Sequence, residues 1–286
     1  MKEQDIAILL KLLEDSDTEV ITTVKNKLIE YGESAAPYLK KAYDACEEIT
    51  IQHHIEDIIL NIKKNKIKTD LKDWSLHSSG YNLLDGLFII SQFQYPDYDF
   101  NPTKKFIETI KKDIWLELND DLTALEKIKI INHILFDIYN LSISQLNNSQ
   151  YFFINSIFEN KKAISTLFTI FYAAICQQFD LPVYGVIMPD NFILCYNNTI
   201  QNDFENFNSK VLFYINPANK GIVFGKDEID NYLKKHNIDL NPDYFSPIEN
   251  RLSIINLLEN IIIFCHIRKE KTKVKEFSSL LKNIYI

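Results

Sequence analysis

The sequence predicts an α+β protein that is predominantly helical, with one small antiparallel sheet late in the chain. Three observations predict it. Apolar residues recur at helical spacing across the first 65 positions and again over long stretches up to residue 140. The segment "ISTLFTIFYAAICQQF" (164–179) is apolar on every side, as a fully buried helix is. Directly after it come three short runs rich in β-branched and aromatic residues, "VYGVIM", "FILCY" and "VLFYIN", with a shorter "GIVF" behind them.

Taken in order, residues 1–65 read as helix pairs. Val20, Val24 and Leu28 repeat every four positions with Ile21 beside them, and Asp15, Ser16 and Asp17 stand ahead as N-cap candidates. Gly32 stops that helix and Pro37 suits the first turn of the next. Ile51, Ile55, Ile58, Ile59 and Ile62 stripe a fourth helix. Such pairs resemble HEAT-type repeats, in which each pair buries its stripe only against a neighbour. Two pairs are few for a free solenoid, so docking on the rest of the chain is expected.

"IKKNKIKTDLKDW" reads as a polar, basic link. Helices are expected near 80–93, 102–118 and 122–139, separated by the breaker stretches "QYPDYDFNP" and "LNDD". A polar loop, "SISQLNNSQ", leads to a short helix at 151–160 and then to the buried helix. Strands are expected at 183–188, 192–197 and 211–216, with the polar loop "NNTIQNDFENFNSK" between the last two. Helices return at 226–235, 247–267 and 274–284. The expected division is a helical region at 1–65, a core at 66–240 and C-terminal helices at 241–286. Within the core, 66–147 is a helical lead-in and 148–225 the motif-bearing part.

Composition narrows the function classes. A net charge of −8 argues against nucleic acid or an anionic membrane as the main partner. The two arginines, Arg251 and Arg268, leave little material for bidentate phosphate or base readout. The four cysteines are scattered without a CxxC, so no disulfide frame is expected and a reducing, cytoplasmic setting is. The opening "MKEQDIAILLKLLED" reads as an amphipathic helix, not a signal peptide. "LSIINLLENIIIF" is too short and too polar to span a bilayer.

Metal and cofactor sites are not expected. His53 and His54 are adjacent on a helix and diverge by about 100°, as do Cys265 and His266. "GIVFGKD" is one residue short of a phosphate loop and carries Asp227 where a hydroxyl would hold magnesium, so Gly221 and Gly225 are assigned to turns. The basic run "HIRKEKTKVK" (266–275) reads most simply as a solvated helix end or turn, with an acidic partner as the alternative.

The segment 148–217 carries more. A polar helix start ("KKAIST"), a buried helix, "LPVYGV", a "PDNF" corner and "YINPANKG" closing a third strand follow one another. This order resembles the transglutaminase-like superfamily, in its SirB-type branch. "LLEDSDTEV", "DLKDW", "INHILFDIYN" and "NRLSIINLLENI" fall where that branch has similar stretches. The resemblance implies a papain-like core in which a cysteine at the first turn of the buried helix is held as thiolate by free N–H groups and the helix dipole. A histidine from the corner moves its proton and an aspartate from the third strand orients the imidazole.

Aligned on that pattern, the nucleophile position is Leu167, with Thr166 and Ser165 within two residues of it. The histidine position is Asn191 and the aspartate position Asn216. An amide is no general base near neutral pH. The resemblance therefore implies a non-catalytic relative that binds a protein or peptide partner. The alternative is an acyltransferase or amidohydrolase using Ser165 or Thr166, although no histidine lies between His133 and His236. A structural subunit that assembles through its helical ends is a third reading. Taken locally, Ser165 and Thr166 serve as N-caps, and Asn191 and Asn216 bond nearby backbone.

Overall fold

Helix α1 (Glu3–Lys11) is followed by a short 3-10 turn and by α2 (Thr18–Glu30). Of the three N-cap candidates, Asp17 is the cap: its carboxylate accepts the N–H of Glu19 at 2.8 Å. Gly32 takes φ +61°, the left-handed conformation that ends the helical run. Pro37 stands in the first turn of α3 (Ala36–Ala45), where its missing N–H costs nothing.

This computed structural model describes residues 3–15, 17–76, 82–145, 148–189, 191–198 and 211–285. Most of the expected polar loop at 197–210 lies outside the described residues, as does Asp190 of the "PDNF" corner. The chain divides into two compact units. One comprises Met1–Lys72 with Gln92–Asp97, the other Asp73–Ser91 with Tyr98–Ile286.

The first unit has a core of its own. Ile6, Leu13, Val24, Leu28, Leu39, Ile51, Ile55, Ile58 and Ile62 are buried in one cluster. Each such side chain contributes roughly 1.5–3 kcal/mol on leaving water. Helix α4 runs from Ile49 to Leu76, through the stretch read as a polar link. That link is corrected, and the reason is visible in the side chains. Ile62, Ile67, Leu71 and Ser75 are all buried and keep near-helical spacing, while the lysines between them are good helix formers on the wet side.

In the second unit, α5 (Leu83–Gln94, whose last residues belong to the first unit), α6 (Asn101–Glu117) and α7 (Ala124–Asn132) fall close to the expected helices. Helix α7 starts with a capping box, Thr123 accepting the N–H of Glu126 while Glu126 accepts that of Thr123. It then widens into a π-helical turn at His133–Ile138, where the N–H of Tyr139 reaches Ile134 O at 3.0 Å. Two-residue strands β1 (Ser142–Ile143) and β2 (Lys162–Ala163) pair in parallel around α8 (Asn155–Asn160).

Helix α9 (Ser165–Gln177) is the buried helix, with every residue from Thr166 to Cys176 buried. The sheet has the order β3-β4-β5-β6, antiparallel throughout. Its strands are β3 (Val183–Met188), β4 (Asn191–Asn197), β5 (Val211–Asn216) and β6 (Ile222–Phe224). One face carries Tyr184, Val186, Ile193, Cys195 and Tyr214, packed with Ile229 and Leu233 of α10 (Lys226–Lys235). On the other, a Cβ at Gly185 would come within 2.9 Å of Ser253 Oγ in α11 (Asn250–Ile267). Helix α12 (Lys271–Leu281) closes the chain against α11, starting three residues earlier than expected. No described helix is long and apolar enough to cross a membrane.

Candidate functional site

The start of α9 is built from an apolar strand end. Ile164, with φ −64° and ψ 158°, is the N-cap, and no side chain caps the helix. The helical ladder begins where Phe168 N donates to Ile164 O at 2.9 Å. Ser165 and Thr166 are therefore already inside the first turn, so the capping role expected of them is corrected. A capping residue must keep extended dihedrals, and here Ile164 has them. Ser165 is half-buried, Thr166 is 9% exposed and Leu167 is fully buried. Neither hydroxyl makes a hydrogen bond to an imidazole or carboxylate among the described residues. The first turn of a helix, whose free N–H groups favour an anion, here carries a fully buried aliphatic side chain at Leu167.

Asn191 opens β4, paired with Met188 across the corner, and Asn216 closes β5, paired with Ile222. Cys195 stands opposite Tyr214 and Leu194 opposite Ile215, so both asparagines lie at the same end of the sheet. Strand alternation puts both on the face of Cys195 and Tyr214. Both amides turn their oxygens onto local backbone. Asn191 Oδ1 accepts from Phe192 N at 3.1 Å, and Asn216 Oδ1 accepts from Ala218 N at 3.0 Å as cap of a 3-10 turn. Helix α9 reaches this end of the sheet through Thr169, whose hydroxyl donates to Phe192 O at 3.5 Å. No hydrogen bond among the described residues joins 165–167 to either asparagine.

The two thiols of α9 and the sheet are Cys176 and Cys195. Cys176, eleven positions beyond Ser165, is fully buried, and desolvation pushes its thiol far up. Burial likewise pushes Cys195 up to about 12. A thiol so placed holds almost no thiolate near neutral pH. Among the described residues, no three His, Cys, Asp or Glu side chains group as metal ligands do.

One set of polar contacts beside the site was missed by the sequence reading. Tyr172, buried in the third turn of α9, donates to Asn132 Oδ1 at 2.7 Å, and Asn132 Nδ2 donates to Gly221 O at 2.8 Å. Gly221 has φ +67°, and a Cβ there would lie 1.9 Å from Asn132 Oδ1. The amide thereby ties α7, α9 and the turn after Asn216 together. A tyrosine inside an all-apolar helix was the available signal, because a buried phenol requires a partner.

A search of curated proteins and a search of solved structures both return no match to the chain. The family model of the transglutaminase-like superfamily matches residues 101–259. That span opens with α6, takes in the Asn132–Tyr172–Gly221 tie, the start of α9 and both asparagines, and ends within α11. It covers more than half of the 286 residues. By that match, the chain belongs to the transglutaminase-like superfamily.

Proposed function

We propose that this is a non-catalytic transglutaminase-like protein of the SirB-type branch, acting as a protein-binding or scaffolding module in the cytoplasm. The observation that carries the reading is the chemistry of the aligned positions. Ser165, Thr166, Leu167, Asn191 and Asn216 include no group that titrates near neutral pH. Acyl transfer through a covalent enzyme intermediate needs a nucleophile and a base within hydrogen-bond reach of it. The buried Leu167, and amide oxygens already used by Phe192 N and Ala218 N, support the same reading.

In this proposal the helix pairs of residues 1–65 form a HEAT-like region docked on the superfamily core. Its stripes, the Asp17 cap and the Gly32 stop are the features that support the likeness. A fold alone carries no activity, so the binding role rests on what the site has lost. The test is affinity capture of the tagged protein from its own host, followed by binding of the purified candidate. A reproducible partner that binds stoichiometrically supports the module. Failure to capture any, alongside turnover of an acyl substrate, overturns it.

A further inference from the structure

One of the two most cationic stretches of this acidic chain is also one where large apolar side chains are exposed. Residues 266–275 hold five Lys or Arg against one Glu, in a chain of net charge −8. They form the corner between α11 and α12, which Lys269 turns at φ +61°. On the last turns of α11, Ile263 is 58% exposed and Ile267 67%. Four residues apart, they share one helix face. Arg268, Lys269, Lys271 and Lys275 of the adjoining corner are exposed, Arg268 lying over the Phe264 ring at 5.5 Å. The one ion pair formed by the stretch among the described residues is Lys273 with Glu270, at 3.0 Å.

The corner is packed from beneath. Phe264 is buried against Phe152, ring centres 4.8 Å apart, and Phe277 stacks on Phe153 at 6.2 Å. Exposed isoleucines on a solvated helix end gain nothing in the isolated chain, and Lys269, Lys271 and Lys275 have no carboxylate partner among the described residues, so the corner offers apolar anchors and cations together.

We propose that this corner docks an acidic segment of a partner protein, carboxylates on the cations and a leucine or similar side chain on the Ile263–Ile267 ridge. Nucleic acid would engage the cations and leave both isoleucines unused. An anionic bilayer would use both, but it would also press on Glu259, which is exposed one turn before Ile263 on the same face. A discrete peptide strand can lie beside that carboxylate. The proposal goes beyond the assignment of the core as non-catalytic, and it stands whether or not the core turns over a substrate.

The test uses the full chain and a fluorescein-labelled peptide alternating Glu with Leu, read by anisotropy. Controls are the same peptide with Gln for Glu, and phosphatidylserine-containing vesicles. The expected result is saturable binding of the acidic peptide that weakens as salt rises. Lys271→Glu with Lys275→Glu should weaken it by about tenfold or more, and Ile263→Ser with Ile267→Ser severalfold. All four positions are exposed or near-exposed, so circular dichroism should report an intact fold in both double variants. Equal binding by either variant, equal binding of the Gln peptide, or vesicle binding without peptide binding overturns the proposal.

Discussion

Tyr172 donates its phenolic proton to Asn132 Oδ1 across 2.7 Å, in a site where neither side chain was expected to matter. Tyr172→Phe leaves that oxygen without its donor and should cost about 1–3 kcal/mol, measured by chemical denaturation. Gly221→Ala should cost more, because it forces a Cβ into a left-handed backbone and against Asn132 Oδ1. Adding Asn132→Ala to Gly221→Ala should recover part of that loss. Strict additivity of the two changes would show that the tie does not exist.

The four cysteines divide by burial. Cys176, Cys195 and Cys265 are buried, whereas Cys46 is half-buried, its Sγ 3.6 Å from Glu48 O. Iodoacetamide under native conditions should add one label, at Cys46, and four after unfolding. Labelling of Cys176 or Cys195 in the native protein would mean a helix α9 or sheet core far looser than the one described.

Stability should fall on the alkaline side. The thiol of Cys195 is raised from 9.0 to about 12 by burial, and the phenol of Tyr214 from 10.0 to about 12 by burial and the nearby Cys195 and Asp230. Groups raised in the folded state keep their protons there while the unfolded chain loses them. Their contribution is whole below about pH 9 and is lost as pH climbs through 9 to 12. Melting temperature should be level between pH 7 and 8 and decline above 9. Cys195→Ala should flatten that decline, and an identical slope would rule out the thiol as its source.

Much of the fold was legible because the signals were local. The β-branched and aromatic run at 183–188, the stripe at Val24 and Leu28, and the all-round apolarity of α9 each belong to a single element. What escaped depended on partners elsewhere in the chain. Helix α4 was cut short because its lysines read as a linker, when Ile67 and Leu71 were still finding a core. The pairing of Ser142 with Lys162 joins segments twenty residues apart in a two-residue strand, below what alternation can reveal. The π-helical turn after Asn132 has no periodicity signal of its own. At the site, the strand signals sufficed to set Asn191 at the start of β4 and Asn216 at the end of β5. The contacts their amides make required the backbone.

The helical front offers a separate test. A fragment ending at residue 66 cuts α4 before Ile67 and Leu71, and it lacks Asp97, which pairs with Lys63. If the front depends on the rest of the chain, this fragment should melt without a cooperative transition, as small units with a cut core do. A sharp, monomeric transition would contradict the docked arrangement proposed for it.

The claim that the superfamily core has lost its chemistry is tested most directly by intact-mass spectrometry after exposure to an electrophilic acyl probe, alongside a glutamine transamidation and deamidation assay. If residues 165–167, Asn191 and Asn216 hold the triad positions as proposed, the mass at residues 165–167 should stay unmodified and glutamine substrates should not turn over. A stoichiometric acyl adduct on Ser165 or Thr166, abolished by Ser165→Ala or Thr166→Ala, would contradict it.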